Sequence, residues 1–125
     1  MSLCTAINCM DGRTQLPVNE YLRQLLGVDY VDTITEPGPV RILAEEPDSP
    51  ATQSILARVE ISVAKHGSQC IAIVAHHDCT GNPAPEQRQK DQLLVAREFL
   101  RGRHPATKIL ALWVDAAWSV ISVGP

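Results

Sequence analysis

The sequence has 125 residues, 45% hydrophobic and 20% charged, with a formal net charge of -3. That is an ordinary globular composition, long enough for a real core and natural as a single domain over residues 1–125. The acidic balance, without a basic cluster, argues against nucleic-acid and anionic-membrane surfaces, and 4% aromatic content argues against base stacking.

No apolar run is long enough to span a bilayer. No basic segment followed by a long apolar one opens the chain, so a cytoplasmic location is expected. The four cysteines, Cys4, Cys9, Cys70 and Cys79, are then expected as thiols, and no pair has the CxxC spacing of a redox motif or zinc ribbon.

In chain order, Leu3 to Asn8 reads as a first strand and Cys9 to Thr14 as a loop with Gly12 as its flexible point. Pro17 opens a helix that carries Val18, Leu22 and Leu25 on one face and closes at Gly27. Tyr30 to Thr35, β-branched and alternating, is strand two. Glu36-Pro-Gly-Pro39 breaks the chain, and a short turn of helix can follow from Val40 to Glu45.

Ser49-Pro50 is an N-cap followed by proline at the first helical position. Ile55, Val59 and Val63 share one face of that helix, and Gly67 ends it. Gln69 to Ala75 is strand three, apolar enough to be covered on both faces. Pro85 to Arg101 is a helix with a polar first half (Glu86 to Gln92) and a second half burying Leu93, Ala96 and Leu100. Thr107 to Val114 is strand four, and Ala117 to Val123 can form a fifth, edge strand turned back after Asp115.

Strands alternating with helices predict an α/β fold, a three-layer sandwich around a mostly parallel sheet of four to five strands. Sequential pairing and right-handed crossovers favour the order 2-1-3-4, with the edge strand outside it. The crossovers then leave strands one and three in opposite directions, opening a crevice at their C-terminal ends. Cys9 follows strand one; His76 and Cys79 follow strand three.

Two thiolates and an imidazole suit a tetrahedral zinc ion, and three protein ligands leave one position open, as in catalytic sites. Cys9, His76 and Cys79 are therefore the expected ligands of one zinc per chain. Water at the open position has its pKa drawn down to about 7, giving hydroxide at neutral pH. Asp11 and Arg13 can pair bidentately, which aims a free acceptor of Asp11 at that water and keeps Asp11 off the metal. His77 reads as a solvated loop residue, with a proton shuttle as the alternative. Asp78 reads as a turn former. Trp113 and Trp118 fit core packing or a dimer surface.

These residues carry a resemblance. Cys9-Met-Asp-Gly-Arg13 is similar to the Cys-x-Asp-x-Arg signature of β-class carbonic anhydrases, and His76-His-Asp-Cys79 to their His-x-x-Cys. The apolar strand before His76 and the stretch Leu112-Trp-Val-Asp115 also resemble theirs, so the likeness runs over nearly the whole chain. It implies a zinc enzyme interconverting CO2 and bicarbonate, with Cys9, His76 and Cys79 as ligands and Asp11–Arg13 as the dyad. It also implies a homodimer or higher homo-oligomer. Two places depart from the family pattern: Glu36-Pro-Gly-Pro39 stands where Arg-Asn-Ala-Gly is common, and Thr80 follows the ligand cysteine where glycine is usual.

Two other functions fit the same residues. One is a related hydrolase acting on carbonyl sulfide or carbon disulfide; the other is a non-catalytic zinc-binding homologue. Cysteine-phosphatase chemistry fails, since neither Cys9 nor Cys79 has Arg at Cys-x5-Arg spacing. Nucleotide binding fails for want of a glycine-rich loop after strand one.

Overall fold

The structure is a computed structural model and describes residues 2–124. Its elements in order are β1 (Leu3–Cys9), α1 (Gln15–Leu26), β2 (Tyr30–Glu36), α2 (Pro39–Glu45), α3 (Pro50–Glu60), β3 (Cys70–His76), α4 (Glu86–Arg103), β4 (Lys108–Val114) and β5 (Val120–Ser122). The sheet order is β2-β1-β3-β4-β5, with β5 antiparallel to β4 and the other pairs parallel. The expected α/β class, strand order and edge strand are all present.

Period-two alternation decides which residues meet which helices. Cys4, Ala6, Cys70, Ala72, Val74, Leu112 and Val114 point to one face, where Val18 and Leu22 of α1 cover them. Ile7, Ile34, Ile71, Ile73, Ile109, Ala111 and Trp113 point to the other, under α2, α3 and α4. Both faces of β1 and β3 are thus sealed, and every residue of these two strands is buried. Their shared C-terminal ends are left as the place where polar chemistry can reach solvent.

Several boundaries differ from the sequence expectation. The loop after β1 holds a 3-10 turn, Gly12–Thr14, capped by the Asp11 side chain. α4 runs to Arg103, two residues past the expected end at Arg101. The helix expected to continue from α3 to Gly67 widens into a π-helical turn over Ile61–Lys65. Widening inserts an extra residue per turn and brings Ser62 inward, while Val63 still packs against the cluster that holds Ile55 and Val59.

Ser62 has good reason to point in. Its hydroxyl lies 2.6 Å from Thr5 Oγ1 and donates to Asp32 Oδ2 at 2.7 Å. Thr5 also donates to Ser68 Oγ at 2.7 Å, and His66 Nδ1 lies 2.6 Å from Asp32 Oδ2. Burial, which alone would raise the Asp32 pKa, is outweighed by the hydrogen bonds with Ser62 and His66, so it lies below the ordinary value. A depressed carboxyl stabilises the fold above its unfolded pKa of about 3.9, and this is lost as pH falls through the lower folded value. Asp32→Asn is expected to cost about 1–2 kcal/mol at neutral pH. In urea unfolding, the gap from wild type should close below about pH 4.

Candidate metal centre

β1 and β3 end side by side, and the loops that follow them meet. Cys9, His76 and Cys79 are all buried, and their donor atoms lie within 4.8 Å of one another. The two sulfurs are 3.9 Å apart. The three residues singled out from the sequence are therefore the three that the fold assembles.

Each donor is fixed by its local backbone. Asn8, buried beside Cys9, accepts the Cys9 N–H on Oδ1 at 2.8 Å. Gln15 donates to the Cys9 carbonyl at 2.7 Å, so the start of α1 grips the end of β1. His76 is the last residue of β3, and its Nδ1 lies 2.7 Å from the His77 carbonyl oxygen. A carbonyl can only accept, so Nδ1 carries the proton and Nε2 offers its lone pair. That Nε2 is buried and has no hydrogen-bond partner in the protein. An orphaned imidazole acceptor beside two sulfurs is the arrangement a zinc ion satisfies, and the donor set fits the metal.

The electrostatics agree. The Cys9 pKa is lowered to about 4, first by the neighbouring Cys79 thiol, against the opposing effect of burial, and then by His76. Backbone N–H groups of Gly38 and Asp11 add to this. Cys79 is pushed up, first by its contact with Cys9 and then by burial, while the amides of Asn82 and Gly81 oppose the rise. One sulfur of the pair ionises readily and the second resists, because two thiolates at this distance repel. A cation between them removes that conflict.

Asp11 and Arg13 stand at the rim. Arg13 donates from Nη2 to Asp11 Oδ2 at 2.7 Å and from Nε to Oδ1 at 3.1 Å, a bidentate fork. Its backbone N–H also donates to Oδ1 at 3.0 Å. The side-chain bonds from Arg13, opposed by burial and helped by that backbone bond, hold the Asp11 carboxyl at about 2, so it is an anion at any working pH. His77 is exposed, as expected. Asp78 takes φ 58 and shapes the turn.

Other residues support the site from a distance. Gln89 is 2% exposed and Gln92 6%, although they lie in the half of α4 that reads as polar. Gln89 donates to the His76 carbonyl at 3.1 Å, and Asn82 donates to Gln92 at 2.7 Å. Gln92 in turn donates to Glu45 at 2.8 Å, tying α2 to the loop that carries Cys79. Neither glutamine has a local sequence signature; a polar stripe on a helix reads as a solvated face. Trp118, which reads from sequence as core or dimer surface, lies with its ring against Arg13, the guanidinium carbon 4.4 Å from the ring centroid.

The loops that carry the two departures from the family pattern pack together through Gly81 and Gly38. Gly81, one residue past Thr80, packs so tightly on Pro37 that an added Cβ would lie 2.5 Å from the Pro37 carbonyl carbon. Gly38 takes φ +64 and approaches Gly81 from the other side. Gly81, two residues past Cys79, thus supplies the close approach between the two loops.

A family model described as "Putative carbonic anhydrase" matches residues 1–124. The chain belongs to that family.

Solved structures of carbonic anhydrases share the fold. The β-carbonic anhydrase of the fungal pathogen Aspergillus fumigatus superposes with a TM-score of 0.58 at 15% identity, covering 98% of this chain and 74% of that one. One of two tetrameric β-carbonic anhydrases from Sordaria macrospora gives 0.57 at 12% identity, over 99% and 81%. The carbonic anhydrase from Glaciozyma antarctica gives 0.65 at 12% identity, over 98% and 81%. No individually curated protein matches the sequence. Among the described residues, no helix is long and apolar enough to cross a membrane.

Proposed function

We propose that this carbonic anhydrase family member is a zinc-dependent enzyme that interconverts CO2 and bicarbonate. The observation that carries this reading is the buried, partnerless Nε2 of His76 facing two sulfurs, with an Arg13-held carboxylate beside them. Cys9, His76 and Cys79 would hold one zinc per chain. When bound, zinc acts as a Lewis acid and draws the pKa of a coordinated water down to about 7.

The protein's own groups do the rest. Asp11 has lone pairs free beyond those Arg13 occupies, so it can accept one hydrogen bond from a reacting water and orient it. It stays ionised, so it can only accept, which fixes the direction of that hydrogen bond. Arg13 fixes the carboxylate through two nitrogens, which also restrains Asp11 from becoming a donor to the metal. The amides of Gly38, Asp11, Gly81 and Asn82 disperse sulfur charge and keep the donors aimed.

The test is stopped-flow CO2 hydration by zinc-loaded protein, run beside carbonyl sulfide turnover. CO2 hydration well above the buffer rate is expected, with activity rising through neutral pH. Turnover of carbonyl sulfide alone would move the substrate assignment to the related hydrolases. Failure on both substrates by fully zinc-loaded protein would leave a non-catalytic zinc-binding member of the family. We further propose that the chain works as a homodimer or higher homo-oligomer, as the tetrameric relatives suggest.

A further inference from the structure

Arg13 is held by more than Asp11. Its Nη1 lies 3.4 Å from Asp78 Oδ2, and its Nη2 donates to the Asp78 carbonyl at 3.3 Å. On another side, the Trp118 ring packs against the guanidinium at 4.4 Å. That same ring stands 6.2 Å from the His76 ring, tilted by 44°. Trp118 therefore bridges the dyad and the metal-facing imidazole.

Among the described residues, the two non-glycine residues with positive φ are Asp78, at 58, and Trp118, at 61. Aspartate enters the left-handed region with some ease, but a bulky aromatic residue there is an outlier. Such conformations persist only where the surroundings impose them, and they gather at functional sites. Both of these residues touch the same guanidinium.

The imposing structure is the turn between β4 and β5. Asp115 Oδ1 accepts the N–H groups of Ala117 at 2.9 Å and Ser119 at 3.0 Å. The Trp118 N–H donates to the Asp115 carbonyl at 2.9 Å, and the Asp115 N–H donates to the Ser119 carbonyl at 3.0 Å. These four bonds close the turn and leave Trp118 in the left-handed region, with its ring over Arg13.

We propose that Trp118 is a positioning residue: with Asp78 it clamps Arg13, and through Arg13 it holds the Asp11 carboxylate in its working orientation, off the metal. The geometry rests on the contacts above; the consequence for catalysis rests on the carbonic anhydrase reading. Removing the ring frees the guanidinium to swing, and Asp11 follows it. Leucine is the informative replacement, since it keeps a side chain on the same backbone while removing the aromatic face.

The test has two arms. In the first, a double-mutant cycle of Trp118→Leu and Arg13→Met is read by urea unfolding of the intact chain. The two residues are expected to be coupled by about threefold to fivefold in the unfolding constant. Trp118→Phe, which keeps an aromatic face, should restore most of that coupling. In the second, Trp118→Leu should lower kcat for CO2 by about tenfold to a hundredfold with KM and zinc content little changed, and Trp118→Phe should recover most of the loss. An additive cycle, or equal losses for Leu and Phe, would overturn the clamp. A coupled, Phe-rescued cycle in a protein that never hydrates CO2 would uphold the clamp and defeat the catalytic reading.

Discussion

Cys9→Ser is expected to leave the purified protein without zinc, against one ion per wild-type chain. The substitution exchanges a sulfur that ionises readily, because Cys79, His76 and the Gly38 amide all favour its thiolate, for a hydroxyl that stays protonated at neutral pH. Two donors remain, His76 Nε2 and Cys79 Sγ, and two do not make a tetrahedral zinc site. Loss of an outer partner in such sites weakens metal binding about 10–100-fold, and loss of a direct donor should exceed that. His76→Ala should do the same. Cys4→Ser and Cys70→Ser should keep the metal. Those thiols line a cavity at the opposite end of the strands, and burial raises both, Cys4 to about 11. Elemental analysis of the four variants, grown with excess zinc, separates a metal centre from a general need for cysteine.

The second large effect is expected at Gly81. A Cβ there would lie 2.5 Å from the Pro37 carbonyl carbon, 2.7 Å from its oxygen and 2.9 Å from Gly38 N. All three neighbours are backbone, so no rotamer change relieves the clash. Gly81→Ala must separate the β2–α2 loop from the loop carrying Cys79, at a cost of about 2–3 kcal/mol. The separation also withdraws the Gly38 amide from Cys9, so zinc affinity should fall with stability. Urea unfolding and a competitive zinc titration on one preparation measure both. Thr80→Ala, on an exposed neighbour, should leave both nearly unchanged. An unshifted urea midpoint for Gly81→Ala would show that the two loops are not locked together.

The parts of this molecule that could be read from sequence share a cause. β3 is a continuous apolar run up to His76 and β1 a mostly apolar one because both faces are covered, and their length and flanking loops mark them as central strands. Once their order is fixed, Cys9 and His76 must meet, since each closes a neighbouring parallel strand. The donor trio was therefore legible from local pattern plus one topological rule. The Asp11–Arg13 pair was legible because its two members lie two residues apart, and the fork between them is local.

What could not be read depends on contacts between distant segments. Gln89 and Gln92 sit in a polar stretch whose inward face is set by unpaired backbone and side-chain groups of another loop, which no periodicity reports. Ser62 turns inward because Thr5 and Asp32, on two different strands, await its hydroxyl, and the helix widens to allow it. Trp118 lies far along the chain from Arg13, and its left-handed backbone comes from the Asp115 turn rather than from its own preference. In each case the missing information was a partner's position, not a residue's chemistry.

Zinc K-edge absorption on the wild-type protein tests the central claim most directly. The account predicts one zinc per chain with two sulfur donors at about 2.3 Å and one imidazole nitrogen at about 2.0 Å. The fourth position should be open to solvent, with Asp11 retained by Arg13. A spectrum without sulfur donors, or a chain that takes up no zinc, would contradict it.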